Sequence, residues 1–188
     1  MQMRIIAGEL KGRRLKTPED NRVRPTADKV KEAVFSMISP WIYDSTAVDL
    51  FAGTGNLGLE AISRGASHVI FVDKDRRSIA LIRENAAYCR VEDRCDIIWS
   101  DYRNAAAKIS GKADIVFLDP PYGRGLLTDA LQMVAETGLL CEGGIAVAEH
   151  AIDEKMPESF GRLTLIKSKR YGKIGISVYE NTAELEEE

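Results

Sequence analysis

Histidine occurs only twice in this chain, at His68 and His150, and cysteine only three times, at Cys89, Cys95 and Cys141. Neither set has metal-ligand spacing, so no metal site is expected and a histidine-based triad would be hard to assemble. Each histidine reads as structural. An odd number of cysteines points to free thiols in a reducing cytoplasm. No apolar run approaches a membrane span, and the opening Met-Gln-Met-Arg-Ile-Ile lacks the form of a signal peptide. Internal repeats are absent too, and the only biased tract is the acidic end.

What is present is an ordinary globular composition, 45% hydrophobic and 29% charged over 188 residues, enough for one domain spanning 1–188. The net charge of −3 speaks against a nucleic-acid binder, but its distribution does not. Residues 1–31 carry nine bases against four acids, +5, which leaves −8 for the rest. A basic arm on an acidic body suits phosphate contacts. The plainer alternative is a solvated, charge-rich hairpin.

In chain order, residues 4–8 and 13–16 flank a Gly8–Gly12 turn and predict a short hairpin. Residues 18–24 are polar and read as loop. Thr26 can cap a helix after Pro25. Its apolar residues Val30, Ala33, Val34, Met37 and Ile38 run through Ser39, where Pro40 should stop it. Strands are then expected at 46–51, 68–72, 95–99, 113–118 and 145–149, the last after a Gly143-Gly144 turn. Helices at 57–64, 75–88, 102–109 and 126–136 alternate with them. This alternation predicts an α/β fold, a mostly parallel, doubly wound sheet. Strand-like runs at 162–169 and 173–179 read as an antiparallel hairpin closing its edge.

Two turns carry the chemistry. Ile115 to Leu118 is an unbroken apolar run that stops at Asp119-Pro120-Pro121-Tyr122. The prolines cannot donate to a ladder, so a rigid corner forms at a strand's carboxyl end, where open α/β sheets bind ligands. A carboxylate, free carbonyls and an aromatic ring there can grip a planar group bearing an exocyclic NH2. Alone, the corner reads equally well as a strand terminator. The second turn is Asp49-Leu50-Phe51-Ala52-Gly53-Thr54-Gly55, with Gly58 completing G-x-G-x-x-G. That pattern also describes a dinucleotide fingerprint. Asp49 would be unwelcome beside a pyrophosphate but suits the ammonium end of S-adenosylmethionine. Asp73, ending the second strand, suits ribose hydroxyls. Asp101 suits the adenine amino group, or alternatively caps a helix, and Tyr102 suits the ring. Asp75 is the better helix cap. Acids at successive strand ends are costly as packing and therefore read as ligand contacts.

Together with Arg24-Pro25-Thr26 and the run Leu57-Gly58-Leu59-Glu60-Ala61-Ile62-Ser63-Arg64-Gly65-Ala66, these motifs resemble the RsmD family over residues 3–180. Its members are bacterial methyltransferases of small-subunit ribosomal RNA. The resemblance implies a Rossmann-like methyltransferase fold, with a basic extension at 1–40, a catalytic core at 46–180 and an acidic tail at 181–188. It implies S-adenosylmethionine-dependent methylation of the exocyclic N2 of one guanine in 16S rRNA, in a small-subunit assembly intermediate, with no membrane partner. The expected cofactor residues are Asp49, Phe51, Gly53, Gly55, Asp73, Lys74, Asp101 and Tyr102. Asp119, Pro120, Pro121 and Tyr122 would form the reaction centre. Lys11, Arg13, Arg14 and Arg24 would hold RNA, with Arg24 and Thr26 near the mouth of the site. Asp-Pro-Pro-Tyr alone also admits adenine N6 or a protein glutamine amide as target. An RNA-binding module without catalysis is the remaining alternative. No cysteine stands at the catalytic turn, so attack on a ring carbon is excluded.

Overall fold

Five strands run parallel: β1 (Thr46–Asp49), β2 (His68–Asp73), β3 (Cys95–Trp99), β4 (Ala113–Leu118) and β5 (Leu140–Ala151). A computed structural model describes residues 3–18 and 25–182 of the chain. Antiparallel β6 (Ser159–Phe160), β7 (Leu163–Tyr171) and β8 (Ile174–Asn181) extend the sheet, giving the order β3-β2-β1-β4-β5-β8-β7-β6. The order reverses between β1 and β4, and that switch point opens a crevice at the strands' carboxyl ends.

Side chains alternate along each strand, and the two sets build two cores. Ala47, Phe71, Ile115, Phe117 and Val147 pack beneath α1 (Pro25–Met37), α3 (Asn56–Ser63), α4 (Arg76–Cys89) and the N-terminal segment. Val48, Ile70, Val116, Leu118 and Ala148 meet α6 (Leu126–Thr137) on the other face. Gly58 lets α3 approach the sheet, since a Cβ there would come within 2.2 Å of the Phe71 ring. The expected apolar stripe of α1 omits Phe35, which is fully buried with its ring 5.7 Å from that of Phe117.

The N-terminal hairpin forms, with Arg4 bridged antiparallel to Arg14 and with Ile5 and Leu15 buried in the first core. It is held to α3 by Ser63, whose Oγ accepts from Leu10 N–H at 2.9 Å and donates to the Ala7 carbonyl, and by a carboxylate. Glu60 is wholly buried and accepts from the backbone N–H of Ile6 at 2.8 Å and Ala7 at 3.1 Å. It also pairs with Lys31 Nζ of α1 at 3.1 Å and with Arg64 Nε at 2.8 Å. A buried charge survives only with partners of this kind. The contact is close elsewhere as well: a Cβ on Gly8 would overlap the Ser63 carbonyl oxygen.

Several boundaries differ from expectation. Pro40 does not end the helical region; it sits in the first turn of α2 (Ser39–Ile42), where its missing N–H costs nothing. The helix expected at 102–109 is a 3₁₀ turn, Tyr102–Asn104, followed by α5 (Ala105–Lys108). Gly143-Gly144 lies inside β5 rather than before it, at a register shift where a Cβ on Gly144 would sit 3.0 Å from the Asp114 carbonyl. The closing hairpin enters through β8, which pairs with β5. Arg24, most of the 18–24 loop, the Thr26 side chain and residues 183–188 of the tail lie outside what is described.

Replacing Glu60 with Gln leaves Lys31 and Arg64 without their buried counter-charge. Denaturant unfolding should show a loss of about 3–5 kcal/mol. A loss near zero would mean that this carboxylate does not hold the extension to the core.

Candidate active site

Acids stand at or near the carboxyl ends of all five parallel strands: Asp49, Asp73, Asp101, Asp119 and Glu149, the last inside β5 close to its end. Alternation puts three of them on one face, because Asp49, Asp119 and Glu149 continue the series Ala47, Phe117 and Val147. The register then sets neighbours. Leu118 is paired with Ala148, so the next rung brings Asp119 beside Glu149.

Two cavities meet at this end of the sheet. The first, about 470 Å³, is lined by Phe51, Gly53, Asp73, Lys74, Tyr102 and the Asp119–Tyr122 corner. The second, about 1200 Å³, runs beneath α1 and the hairpin to the β7–β8 turn, and its walls include Lys31, Asp49, Glu149 and Tyr171. Phe51, Gly53, Asp119 and Tyr122 line both. The proline corner is thus a shared wall.

Asp49 is 1% exposed, and its Oδ1 is buried without a hydrogen-bond partner. Burial pushes its pKa up to about 7, against backbone hydrogen bonds to Gly58 and Phe51 that pull the other way. Such a carboxylate is poised to receive a cation. Asp73 braces the glycine turn: Oδ2 accepts from Gly53 N–H at 2.9 Å and Oδ1 from Asp75 N–H at 2.8 Å. Asp75 caps α4, as expected. Phe51 and Tyr102 form a tilted aromatic pair with ring centroids 5.0 Å apart, and Lys74 is exposed at the rim.

Two expected cofactor residues stand elsewhere. Asp101 Oδ1 accepts from Arg103 N–H as a helix cap, and its neighbours Ser100 and Tyr102 line the first cavity instead. Gly55 has φ +82° at the start of α3 and packs toward Leu59, Phe71 and Ile82, away from both cavities.

At the corner, Pro120 is buried and Pro121 exposed, while Asp119 opens onto both cavities yet has protein on its other sides. That surrounding, then the charges of Glu149 and Asp49, holds its pKa well above the ordinary carboxylate value. Burial also raises Glu149, opposed by a hydrogen bond from Tyr122. Tyr122 is 44% exposed, and its hydroxyl donates to Glu149 Oε1 at 2.7 Å. Glu149 was not anticipated, although the strand-end rule that singled out the other acids applies equally to it.

The basic residues of the hairpin line neither cavity. Glu9 N–H bonds to the Ser63 carbonyl and Arg13 Nη1 to the Tyr88 carbonyl, both near the carboxyl ends of α3 and α4. Those helix ends face away from the strand ends, so the tip bearing Lys11 points away from the site, with Lys11 and Arg14 exposed. The two histidines are structural: His68 pairs with Asp96, and His150 with Ser177.

Residues 3–180 match a protein-family model described as Conserved hypothetical protein 95. The chain belongs to this family, the RsmD family. This RsmD-family chain is 39% identical over 181 residues to "Putative rRNA methyltransferase YlbH" of Bacillus subtilis (strain 168), covering 95% of this chain and 98% of the relative. It is 31% identical over 183 residues to "Ribosomal RNA small subunit methyltransferase D" of Escherichia coli (strain K12), covering 97% and 92%. The solved structure of "Putative methyltransferase yhhF from Escherichia coli" superposes with a TM-score of 0.87 at 31% identity, covering 98% of this chain and all of that one. The expected methyltransferase fold is therefore borne out.

Asp49 makes stability depend on pH in a defined direction. Its folded pKa, about 7, lies above the unfolded value near 3.8. Its contribution to stability therefore falls as pH rises between those values and levels off above 7. Asp49→Asn, which cannot ionise, should be more stable than wild type at pH 8 without ligand, with the advantage gone by pH 4. Parallel denaturation curves at both pH values refute this if the difference is pH-independent.

Proposed function

We propose that this protein transfers a methyl group from S-adenosylmethionine to the exocyclic N2 of a specific guanine in 16S rRNA. The observation that carries the proposal is the shared wall: Asp119, Tyr122, Phe51 and Gly53 line both cavities, so a cofactor and a base could meet there. The family membership and the names of the relatives support a ribosomal RNA target.

The residues present fit the cofactor. Asp49, with an orphaned buried oxygen and no cationic partner among the described residues, would hold the ammonium group. Phe51 and Tyr102 would take the flat adenine, with Asp73 and Lys74 at the ribose. When bound, the cofactor supplies an electrophilic methyl group on a sulfonium. The adenosine end would occupy the first cavity, about 470 Å³ and within the usual range for such ligands, and the methionyl end would reach Asp49 in the second past the shared Phe51 and Gly53.

The exocyclic nitrogen of guanine is a poor nucleophile because its lone pair is delocalised into the ring. Asp119 and the Pro120 carbonyl would accept its two N–H bonds and turn the lone pair toward the junction of the two cavities. Orientation of this kind can supply several kcal/mol, up to roughly 7–11 in the best cases. The raised pKa of Asp119 makes it a fitting acceptor for the proton that the methylated nitrogen must lose. The half-exposed ring of Tyr122 would stack on a base extruded into the second cavity, worth about 1–3 kcal/mol. The hairpin tip, remote from the cavities, would contact flanking RNA phosphates through Lys11 and Arg14. Arg13 is partly committed to Tyr88.

Asp119→Ala should reduce methyl transfer to 16S rRNA within an assembling small subunit by at least 10³-fold, while calorimetric S-adenosylmethionine affinity changes only a few-fold. Near-wild-type turnover would remove Asp119 from the chemistry. Neutralising Lys11 and Arg14 together should weaken RNA binding and flatten log K against log salt by about one unit per lost phosphate contact. An unchanged slope would leave the hairpin with a structural role alone.

A further inference from the structure

We infer that Glu149 determines base specificity, accepting the guanine N1–H while Asp119 accepts the adjacent N2–H. This inference rests on the methyl-transfer reading of the site and adds to it the reason why guanine is chosen.

Geometry leads to it first. The β4–β5 register brings Glu149 alongside Asp119, and side-chain alternation puts both on the same face of the sheet. Both line the second cavity, where a base would enter. Glu149 is also held in place, because Tyr122 Oη donates to Oε1 at 2.7 Å. Oε2 makes no hydrogen bond to any described residue, which leaves one carboxylate oxygen next to Asp119 for something that enters the cavity.

Base chemistry selects the occupant. On its Watson–Crick edge guanine presents N1–H and N2–H side by side, two donors pointing the same way. Adenine offers its amino donor beside an N1 acceptor, and cytosine its amino donor beside an N3 acceptor. Two neighbouring carboxylates are an acceptor pair, and only guanine satisfies both. An adenine or cytosine amine reaching Asp119 would set a ring-nitrogen lone pair against Glu149, leaving a desolvated oxygen unpaired and repelled. Unpaired polar groups of this kind are what make a hydrogen-bonding site reject analogues strongly. The Asp-Pro-Pro-Tyr corner accepts any exocyclic amine, so it needs a second group to discriminate, and Glu149 stands in the right position. The cost of keeping two carboxylates adjacent is understandable on this basis.

The test uses 2,6-diaminopurine, which keeps the N2 amine but has an acceptor at N1. The guanosine methylated by wild type is mapped by mass spectrometry of RNA from a reconstituted small-subunit particle, then replaced by diaminopurine riboside. At pH 8 the ratio of kcat/KM for guanine over diaminopurine should be about 10–100 for the wild-type enzyme. Glu149→Gln places an amide N–H opposite N1 and should cut that ratio at least tenfold, chiefly by raising activity on diaminopurine relative to guanine. Calorimetric S-adenosylmethionine binding checks that the variant is folded. Equal losses on both substrates would overturn the inference, since Glu149 would then act only by orienting Tyr122. A wild-type ratio near one would overturn it without any variant. If wild type methylates an atom other than guanine N2, the product nucleoside reveals it, and the functional reading itself fails.

Discussion

A single carboxylate with no access to water sets the shape of the substrate side of this protein. Glu60 sits on α3 among the backbone N–H groups of Ile6 and Ala7, the ammonium of Lys31 and the guanidinium of Arg64. They come from the N-terminal segment, α1 and the end of α3, and losing them would strand a charge in the interior. Burial alone would drive the Lys31 pKa down, and Glu60 opposes that pull. The consequence is architectural. With α1 and the hairpin pinned to α3, the second cavity gains a roof containing Met3, Val30 and Lys31. Lys31 also donates to Asn56 Oδ1 at 2.7 Å, which ties that roof to the glycine turn.

The site beneath the roof gathers like charges that water would otherwise keep apart. Asp49, Asp119 and Glu149 share one end of one face, and all three have raised pKa values for the same leading reason, loss of solvent. Folding does not favour such a cluster for its own sake. Each member has an unmet capacity that an incoming group can satisfy: a cation for Asp49, N–H donors for Asp119 and Glu149. Asp73 and Asp101 stand at equivalent strand ends but are committed to backbone amides, one bracing the glycine turn and the other capping a helix. Position at a strand end thus nominates an acid, and its hydrogen-bond partners decide what it does.

Much of this was legible in the residues. The strands at Cys95–Trp99 and Ala113–Leu118 fall where apolar runs put them, and the Pro-Pro pair marks the corner that closes the cavities. Departures occurred where a local rule met a tertiary contact. Gly143-Gly144 looks like a turn, yet β5 continues through it with a shift of register, because glycine allows close approach to the Asp114 carbonyl. Phe35 falls outside the apolar stripe assigned to α1 but packs on Phe117, a contact that exists only once α1 docks on the sheet. The hairpin's bases suggested an arm for phosphate contacts and left its place open. Its apolar residues Ile5 and Leu15 bury it along α3 and α4, and the tip is carried away from the cavities.

From the order of residues alone came the alternation of strands and helices, the two turns at the sheet's carboxyl edge, and the acids that stand there. These depend on periodicity, on proline's missing N–H and on glycine's backbone freedom, all of which act over a few residues. The partnership of Asp119 with Glu149 and the burial of Glu60 beneath an N-terminal segment belong to the tertiary structure. Both depend on strand register and on layer packing, which join parts of the chain that lie 30 or more positions apart.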